Sequence, residues 1–259
     1  MDNFLHNNIF DYGHSHWHLE RKVKIMKITL LIPTLNEIDG MKVIMPRIKK
    51  EWYDQLIIVD GNSTDGTLEY AREQGYQVIV QKRKGLRHAY NEAFPHVTGD
   101  VVITFSPDGN SIPELIPLLV QKMKEGYDMV IASRYAKGAR SEDDDTLTAF
   151  GNWMFTKIIN LLHGGNYTDS FVIYRAYKTE LFTALDLHKE EKNNAPERIL
   201  RTEIGVEPLL SIRCAKRKLR VADIPGDEPP RIGGERKLLP FRWGALFLWQ
   251  IIRELFFWR

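Results

Sequence analysis

Three oxygen-bearing side chains occupy alternate positions in the segment TFSPDGNS, residues 104–111. They are Ser106, Asp108 and Asn110. On an extended backbone, side chains at i, i+2 and i+4 point to one side, and hard divalent cations prefer oxygen ligands. Because Asp108 carries the only charge, we expect the protein alone to bind a metal weakly and a diphosphate to complete the site. Pro-Asp-Gly is also strong turn chemistry, so a simple turn is the alternative interpretation.

Other charged side chains could bind the remaining parts of a nucleotide. Glu37 and Asp60 follow two predicted strands and could accept hydrogen bonds from base N–H groups or ribose hydroxyls. Arginine can bind phosphate oxygens through two parallel hydrogen bonds. The candidate cations for this role are Arg134, Arg175, Arg231, Arg236 and Lys237. Together these residues predict a site for a nucleotide diphosphate bridged to a metal ion.

Bringing these residues together requires strands that end at a common edge. Apolar runs predict strands at residues 28–33, 54–59, 77–80, 101–105 and 129–132, alternating with helical patterns at 38–51, 67–74, 85–94 and 114–124. This alternation indicates an α/β fold with a parallel sheet covered on both faces. Ligands of such sheets bind beyond the carboxyl ends of the strands, where the polar residues collect. The chain lacks the glycine patterns of dinucleotide sites and P-loops, which argues against both.

The second half of the chain is less regular. Helices are predicted at 153–162 and 207–216, a strand at 221–224, and a cation-rich loop from Pro225 to Lys237. The acidic run 141–145 follows Arg134, and its composition favours a solvated loop.

Composition limits the classes of function. The 259 residues carry a net charge of +2, which gives no reason to expect a nucleic-acid partner, and the single cysteine, Cys214, excludes an internal disulfide. The first 25 residues lack an apolar core, so we expect no secretory leader there. His14, His16 and His18 alternate and could hold a metal, but a poorly ordered tail is the favoured interpretation.

The last twenty residues, PFRWGALFLWQIIRELFFWR, combine aromatic residues with charges. A spanning helix needs about 20 apolar residues with few charges, so a helix lying in a membrane interface is favoured. A helix docked on the core or on a second subunit is the alternative. We therefore divide the chain into a tail at 1–25, a main domain at 26–239 and an amphipathic helix at 240–259.

Six motifs, in this order, resemble the family 2 glycosyltransferases of the GT-A fold. They are LIPTLNE, IIVDGNSTDGT, GDVVITFSPDG, IASRY, TDSFVIYRAY and PPRIGGERKL. The likeness covers about residues 26 to 240 and is strongest to the dolichol- or polyprenyl-phosphate sugar synthases, whose R-x-G-x-S-K pattern matches RIGGERK. It implies a GT-A, Rossmann-like three-layer sandwich with a mostly parallel sheet.

The resemblance also implies roles for individual residues. The nucleotide would be bound by Pro33, Asn36, Glu37, Asp60, Asp65 and Lys84. Asp108 matches the last aspartate of the family's D-x-D, with Ser106 and Asn110 at neighbouring metal-binding positions. Arg134 and Arg231 would contact phosphates, with Arg236 and Lys237 beside them, and Asp169 matches an aspartate that precedes a T-S-G-F turn.

Several positions depart from the family pattern. Ser106 replaces an aspartate and removes one charge from the metal site. Gly61 replaces a second aspartate after Asp60, Arg236 replaces a serine, and DSFVIYR lacks the usual Ser-Gly.

We expect an inverting glycosyltransferase that uses a GDP- or UDP-sugar, a Mg²⁺ or Mn²⁺ ion and a polyprenyl phosphate acceptor. It would lie on the cytoplasmic face of a membrane, and a homo-oligomer is compatible with this interpretation. A phosphate acceptor needs no general base. A saccharide hydroxyl, as in polysaccharide or cell-wall synthesis, would need one, for which Glu203 and Glu207 are candidates. A sugar-nucleotide-binding protein without turnover is the third alternative.

Overall fold

The computed structural model describes residues 25–189, 195–233 and 240–258 of the chain. The strands are β1 Ile28–Thr34, β2 Gln55–Asp60, β3 Gln77–Val80, β4 Val101–Thr104, β5 Met129–Ser133, β6 Arg175–Lys178 and β7 Val221–Pro225. The helices are α1 Ile38–Ile44, α2 Thr67–Glu73, α3 Leu86–Ala93, α4 Ile116–Lys124, α5 Thr146–His163, α6 Leu181–Ala184, α7 Ala195–Leu200, α8 Glu207–Lys216 and α9 Pro240–Phe257.

Within the described residues, the strands form one sheet in the order β3-β2-β1-β4-β6-β5-β7. Every neighbouring pair is parallel except those of β6, which runs antiparallel to both β4 and β5. The carboxyl ends of the parallel strands therefore share one edge, as predicted.

Successive side chains of β1 face opposite sides of the sheet, as the pleat of a strand requires. Leu31 packs in the core on the side of α3, α5, α8 and α9. Leu30 and Ile32 pack on the other side, with residues of α1, α2 and α4. The predicted three-layer α/β sandwich with a mostly parallel sheet is thus confirmed.

Several elements differ from the prediction. The helix predicted over 38–51 ends as an α-helix at Ile44 and continues only as short 3₁₀ turns, Met45–Arg47 and Lys50–Trp52, because Pro46 cannot donate a helical hydrogen bond. The helix predicted from residue 153 begins at Thr146, where the Asp145 carboxylate accepts the Thr148 N–H at 2.8 Å. Strand β6 and the short helices α6 and α7 were not predicted.

Helix α9 docks on the body of the protein and also keeps an exposed apolar face. Leu246 and Ile251 are fully buried where the helix packs near α5, α7 and α8. Phe241, Phe256 and Phe257 are more than two-thirds exposed. Among the helices in the described parts of the chain, none is long and apolar enough to cross a membrane.

Candidate active site

The loops that follow β1 and β2 are joined by hydrogen bonds. Asn36 adopts a positive φ of 55°, its amide oxygen accepts the Thr64 N–H at 2.8 Å, and its own N–H donates to the Ser63 hydroxyl at 2.9 Å. The Glu37 N–H donates to the Thr67 hydroxyl at 2.9 Å. The two loops therefore form one unit at the sheet edge, and two residues predicted to bind the nucleotide belong to it.

Asp60 and Asp65 both support this unit. Asp60 is fully buried and accepts the Ser63 N–H at 3.0 Å. Asp65 accepts the N–H groups of Ile38 and Thr67 and the Thr67 hydroxyl, at 3.1, 3.0 and 2.6 Å. Partial burial acts to raise the pKa of Asp65, but these hydrogen bonds lower it below its ordinary value. Both aspartates therefore shape the backbone around any nucleotide bound there.

The other two residues predicted to bind the nucleotide lie at the same edge. Pro33 is a half-buried residue near the end of β1, and Lys84 is exposed in the loop between β3 and α3.

The turn after β4 is held closely against its surroundings. A Cβ on Gly40 of α1 would lie 2.4 Å from the Pro107 carbonyl oxygen, so only glycine permits this approach. Gly109 has a φ of 97°. The Asp108 carboxylate accepts a hydrogen bond from the Asn110 N–H at 3.1 Å, and the main-chain carbonyl of Asp108 accepts one from the Ile232 N–H at 2.7 Å. The turn therefore fixes Asp108 from both the side chain and the main chain.

Arg231 connects the two parts of the site described so far. Its Nη2 lies 2.9 Å from Asp108 Oδ2, and its Nη1 lies 3.5 Å from Glu37 Oε1. A residue predicted to bind phosphate therefore touches one residue predicted to bind the metal and one predicted to bind the nucleoside.

A polar cavity of about 340 Å³ gathers most of the predicted chemistry. Its walls include Ser106, Asp108, Asn110, Arg134 and Arg231, all of them predicted site residues, together with Asp144 and Glu228. Five side chains from three distant parts of the sequence thus meet at the carboxyl edge of the sheet.

The three predicted metal ligands fit a hard cation, with one carboxylate among them. The buried Asn110 Oδ1 has no hydrogen-bond partner among the described residues, while Asn110 Nδ2 donates to the Pro229 carbonyl at 3.2 Å. Across the described part of the chain, no three His, Cys, Asp or Glu side chains cluster as metal ligands. A cation at this position would need further anionic oxygens, which a bound diphosphate could supply.

Arg134, which follows β5, lies among three carboxylates. Its Nε is 2.6 Å from Asp169 Oδ2, and its Nη1 is 3.3 Å from Glu228 Oε1 and 3.5 Å from Asp144 Oδ2. Burial alone would raise the pKa of Asp169, but Arg134 and the Phe171 N–H lower it. Burial raises the pKa of Glu228 despite the attraction of Arg134. The cluster therefore carries more negative than positive charge when all members are ionised.

The acidic run 141–145 contradicts the expectation of a solvated loop in part: Glu142 and Asp145 are exposed, whereas the Asp144 side chain is buried. The Asp144 side chain is only 3% exposed and accepts hydrogen bonds from the Tyr135 hydroxyl and from Asn152 Nδ2. The Ser141 hydroxyl donates to Glu228. Composition predicted solvation, but the chain turns back toward Arg134, whose charge offsets part of the cost of burying these carboxylates.

Arg175 is not a phosphate ligand, contrary to one of the candidate roles. It is 1% exposed in β6, and its guanidinium donates to the carbonyls of Val172 and Glu207 and to the Ser211 hydroxyl. A buried guanidinium needs such acceptors, and in this case they come from the protein core.

The two candidate bases differ in their surroundings. Glu207 is buried and accepts the Tyr90 hydroxyl at 2.7 Å, and burial raises its pKa. Glu203 is partly exposed, with Oε2 3.5 Å from His88 Nε2. Arg236, Lys237 and the histidines of the N-terminal tail lie outside the described residues.

A larger, apolar cavity of about 640 Å³ adjoins the polar one. Its walls come mainly from α5 and α9, including Phe155, Phe247 and Leu248. Leu86, Arg134, Asp144, Phe171 and Ile173 line both cavities. A ligand with a charged head and an apolar tail could therefore reach Arg134 from the apolar side.

Sequence reasoning missed Asp144, Glu228 and the apolar cavity. Glu228 lies three residues before Arg231 in the same loop, and this short distance in sequence from a candidate phosphate ligand could have indicated that it lies near the site. The cavity depends on the packing of α5 against α9, for which no local pattern exists.

The chain resembles known proteins in both sequence and fold. The model of the family described as glycosyl transferase family 2 matches residues 29–185. A dolichyl-phosphate hexose transferase from Haloferax volcanii is 30% identical over 220 residues, covering 84% of this chain and 89% of the relative. A dolichol-phosphate mannosyltransferase from Pyrococcus furiosus is 29% identical over 223 residues, covering 82% of this chain and 59% of the relative. The chain thus spans less than two-thirds of that relative's length.

Among solved structures, glucosyl-3-phosphoglycerate synthase from Mycobacterium tuberculosis, in complex with Mn²⁺, UDP and phosphoglyceric acid, shares the fold. The TM-score is 0.63 at 21% identity, covering 89% of this chain and 78% of the other.

Proposed function

The chain belongs to glycosyl transferase family 2, and we propose that it moves a sugar from a nucleotide-diphospho-sugar to a polyprenyl phosphate. The observation that carries this proposal is the junction of the two cavities at Arg134. A polyprenyl phosphate has an anionic head and a long apolar tail, and each cavity suits one of these parts. The names of the Haloferax and Pyrococcus relatives support the same acceptor class.

The donor would bind along the carboxyl edge of β1, β2 and β4. We assign the nucleoside to the joined loops that contain Asn36, Glu37, Asp60 and Asp65, with Pro33 and Lys84 beside them. The diphosphate would lie near Asp108 and Arg231. A divalent cation, Mg²⁺ or Mn²⁺, bound by Ser106, Asp108 and Asn110 would supply positive charge to the leaving diphosphate.

The reaction would be a direct in-line displacement. An oxygen of the acceptor phosphate forms a bond to the anomeric carbon while the bond from that carbon to the diphosphate oxygen breaks, so the configuration inverts. The acceptor is already an anion at neutral pH and needs no general base. The protein must instead hold two anions close together and offset their charge, a role we assign to Arg231, Arg236 and Lys237. Arg134 would contribute where a phosphate displaces one of the three carboxylates paired with it.

We also propose that the protein works at a membrane surface, on the cytoplasmic face. The exposed face of α9 includes Phe241, Phe256 and Phe257, and α5 exposes Phe150 and Trp153. Aromatic side chains at a helix surface suit the interface of a bilayer, where a polyprenyl phosphate resides. The double substitution Phe256→Ser and Phe257→Ser should reduce sedimentation with anionic vesicles while leaving the unfolding temperature unchanged.

Transfer of labelled sugar into organic solvent tests the proposed reaction. The protein is incubated with radiolabelled UDP- or GDP-sugars, Mn²⁺ and either undecaprenyl phosphate or undecaprenol. Label should enter the organic phase only with the phosphorylated lipid. Label that appears only in a water-soluble saccharide would contradict the proposal.

A saccharide hydroxyl acceptor remains the second candidate, because the buried carboxyl of Glu207 lines the apolar cavity and has a raised pKa. A general base in that role would make turnover depend on its carboxylate. Glu207→Gln should abolish transfer to a hydroxyl, whereas transfer to a lipid phosphate should persist in protein that remains folded.

A further inference from the structure

The loop 226–233 is fastened to the turn that contains Asp108. The Ile232 N–H donates to the Asp108 carbonyl at 2.7 Å. A Cβ on Gly109 would lie 2.7 Å from the Ile232 side chain, so the two segments are in close contact. Within this contact, Arg231 Nη2 lies 2.9 Å from Asp108 Oδ2. The guanidinium therefore sits where a cation bound to Asp108 would need to approach.

The contact between Arg231 and Asp108 affects how strongly the site can attract a metal ion. Among Ser106, Asp108 and Asn110, only Asp108 is charged, and its side chain is 7% exposed. Its pairing with Arg231 neutralises the one formal charge that the three ligands offer to a metal. A divalent cation would then have to displace the guanidinium or share the carboxylate with it.

Arg231 also has capacity to bind a second anion. Its Nε–H is buried and donates to no acceptor in the described parts of the chain. A buried donor without a partner is costly, and a diphosphate oxygen in the polar cavity could supply the missing acceptor. The same side chain thus contacts the metal-binding carboxylate and presents an unused donor.

We propose that Arg231 is a resident counter-ion that opposes cation binding at Asp108 until a diphosphate draws the guanidinium to its own oxygens. The proposal rests on the nucleotide-diphosphate site described above. The two ligands then bind cooperatively, since each removes an obstacle to the other, and by linkage each raises the affinity of the other by the same factor.

Manganese titration of the nucleotide-free protein, followed by the electron paramagnetic resonance of free Mn²⁺, tests this role. Arg231→Gln should bind Mn²⁺ at least fivefold more tightly than the wild type, the lower end of typical couplings. The matched control is Arg47→Gln, which removes an exposed arginine paired to Glu114 at 2.8 Å and should leave Mn²⁺ affinity unchanged. Equal Mn²⁺ affinity in Arg231→Gln and wild type would overturn the proposal.

Two further measurements locate the effect. Adding UDP or GDP should raise Mn²⁺ affinity in the wild type by a larger factor than in Arg231→Gln. The double variant Asp108→Asn, Arg231→Gln should lose the gain in Mn²⁺ affinity. Retention of the gain would place the new binding elsewhere and contradict the proposal. Arg231→Met also removes the charge and should show the same gain in Mn²⁺ affinity, which provides a second test if the glutamine variant folds poorly. Arg231→Lys keeps the charge and should not show the gain.

These outcomes are separate from a failure of the proposed function. Sugar transfer to the lipid is measured on the wild-type protein alone. A wild type that transfers sugar, combined with unchanged Mn²⁺ binding in Arg231→Gln, would reject the role of Arg231 and leave the reaction intact.

Discussion

The polar and apolar cavities meet at Arg134 but are held in place differently. The polar cavity lies at strand ends, where its residues are fixed by hydrogen bonds and ion pairs such as Arg134–Asp169 at 2.6 Å. The apolar cavity lies between helices distant in sequence, where Phe171 and Phe247 pack with ring centroids 4.6 Å apart. One cavity depends on charge placement and the other on the docking of α9, so substitutions should affect them separately.

The largest effect is expected when the docking of α9 is weakened while the residues at the edge of the sheet are left unchanged. Arg213 and Glu254 form a buried ion pair, with Nε 2.9 Å from Oε2. Glu254→Ala leaves the Arg213 charge buried and should cost about 3–5 kcal/mol of unfolding free energy, measured by urea denaturation. Glu114→Ala, which breaks an exposed pair, should cost about 1 kcal/mol or less.

If the two cavities are independent, Glu254→Ala protein that remains folded should still bind nucleotide. Loss of nucleotide affinity as large as the loss of acceptor affinity would show that the two cavities are not independent.

A change confined to the polar cavity should affect chemistry and spare stability. Asp108→Asn preserves the shape of the side chain and removes its charge. Turnover should fall by on the order of 10²-fold or more if Asp108 supports the charge of the leaving group, with little change in acceptor KM. Initial rates at saturating substrates, with thermal unfolding as the control, give the measurement. A wild-type rate would mean that the segment 104–111 is only a turn.

A change confined to the apolar cavity should give the opposite pattern. Leu248 lines this cavity, whereas Leu255, one heptad later on α9, does not, and the two are similarly exposed at 42% and 38%. Leu248→Glu should raise the KM for a short, water-soluble prenyl phosphate about tenfold, because a buried leucine contact is worth about 1.5 kcal/mol or more. Leu255→Glu should have no such effect, and equal effects of both would contradict the assignment of the cavity.

The smallest expected effect lies at the junction itself. Burial raises the pKa of Glu228, so folding favours its protonated form. The wild type should therefore lose stability as the pH rises through that raised pKa, and Glu228→Gln should not. The unfolding temperatures of the two proteins should converge at low pH, with the variant the more stable protein at higher pH. A constant difference between pH 4 and 8 would contradict the raised pKa.

Much of the sheet edge could be predicted because its signals are local. Asp108 follows an apolar strand and sits in a recognisable turn, and the rule that ligands bind at the carboxyl ends of parallel strands places Arg134 near it. Both residues do line one cavity.

Segments whose charged side chains are buried could not be predicted from local sequence patterns. Strand β6 is central, yet it reads Arg-Ala-Tyr-Lys, and Arg175 is buried only because distant carbonyls accept its hydrogen bonds. Asp144 appeared solvated for the same reason, since its partners Tyr135 and Arg134 become neighbours only after folding. Such burial depends on tertiary partners that a sequence window does not contain.

The reversed direction of β6 has a consequence for substrate size. Because β6 lies between β4 and β5, the strands that lead to Asp108 and Arg134 are two strand spacings apart, roughly 10 Å. In the proposed reaction, the width of β6 would set the distance between the leaving diphosphate near Asp108 and the incoming phosphate near Arg134. The segment that leads into it, residues 171–174, lines the polar cavity. Selection among sugars should therefore follow the side chains of this segment, while the two phosphate positions stay fixed.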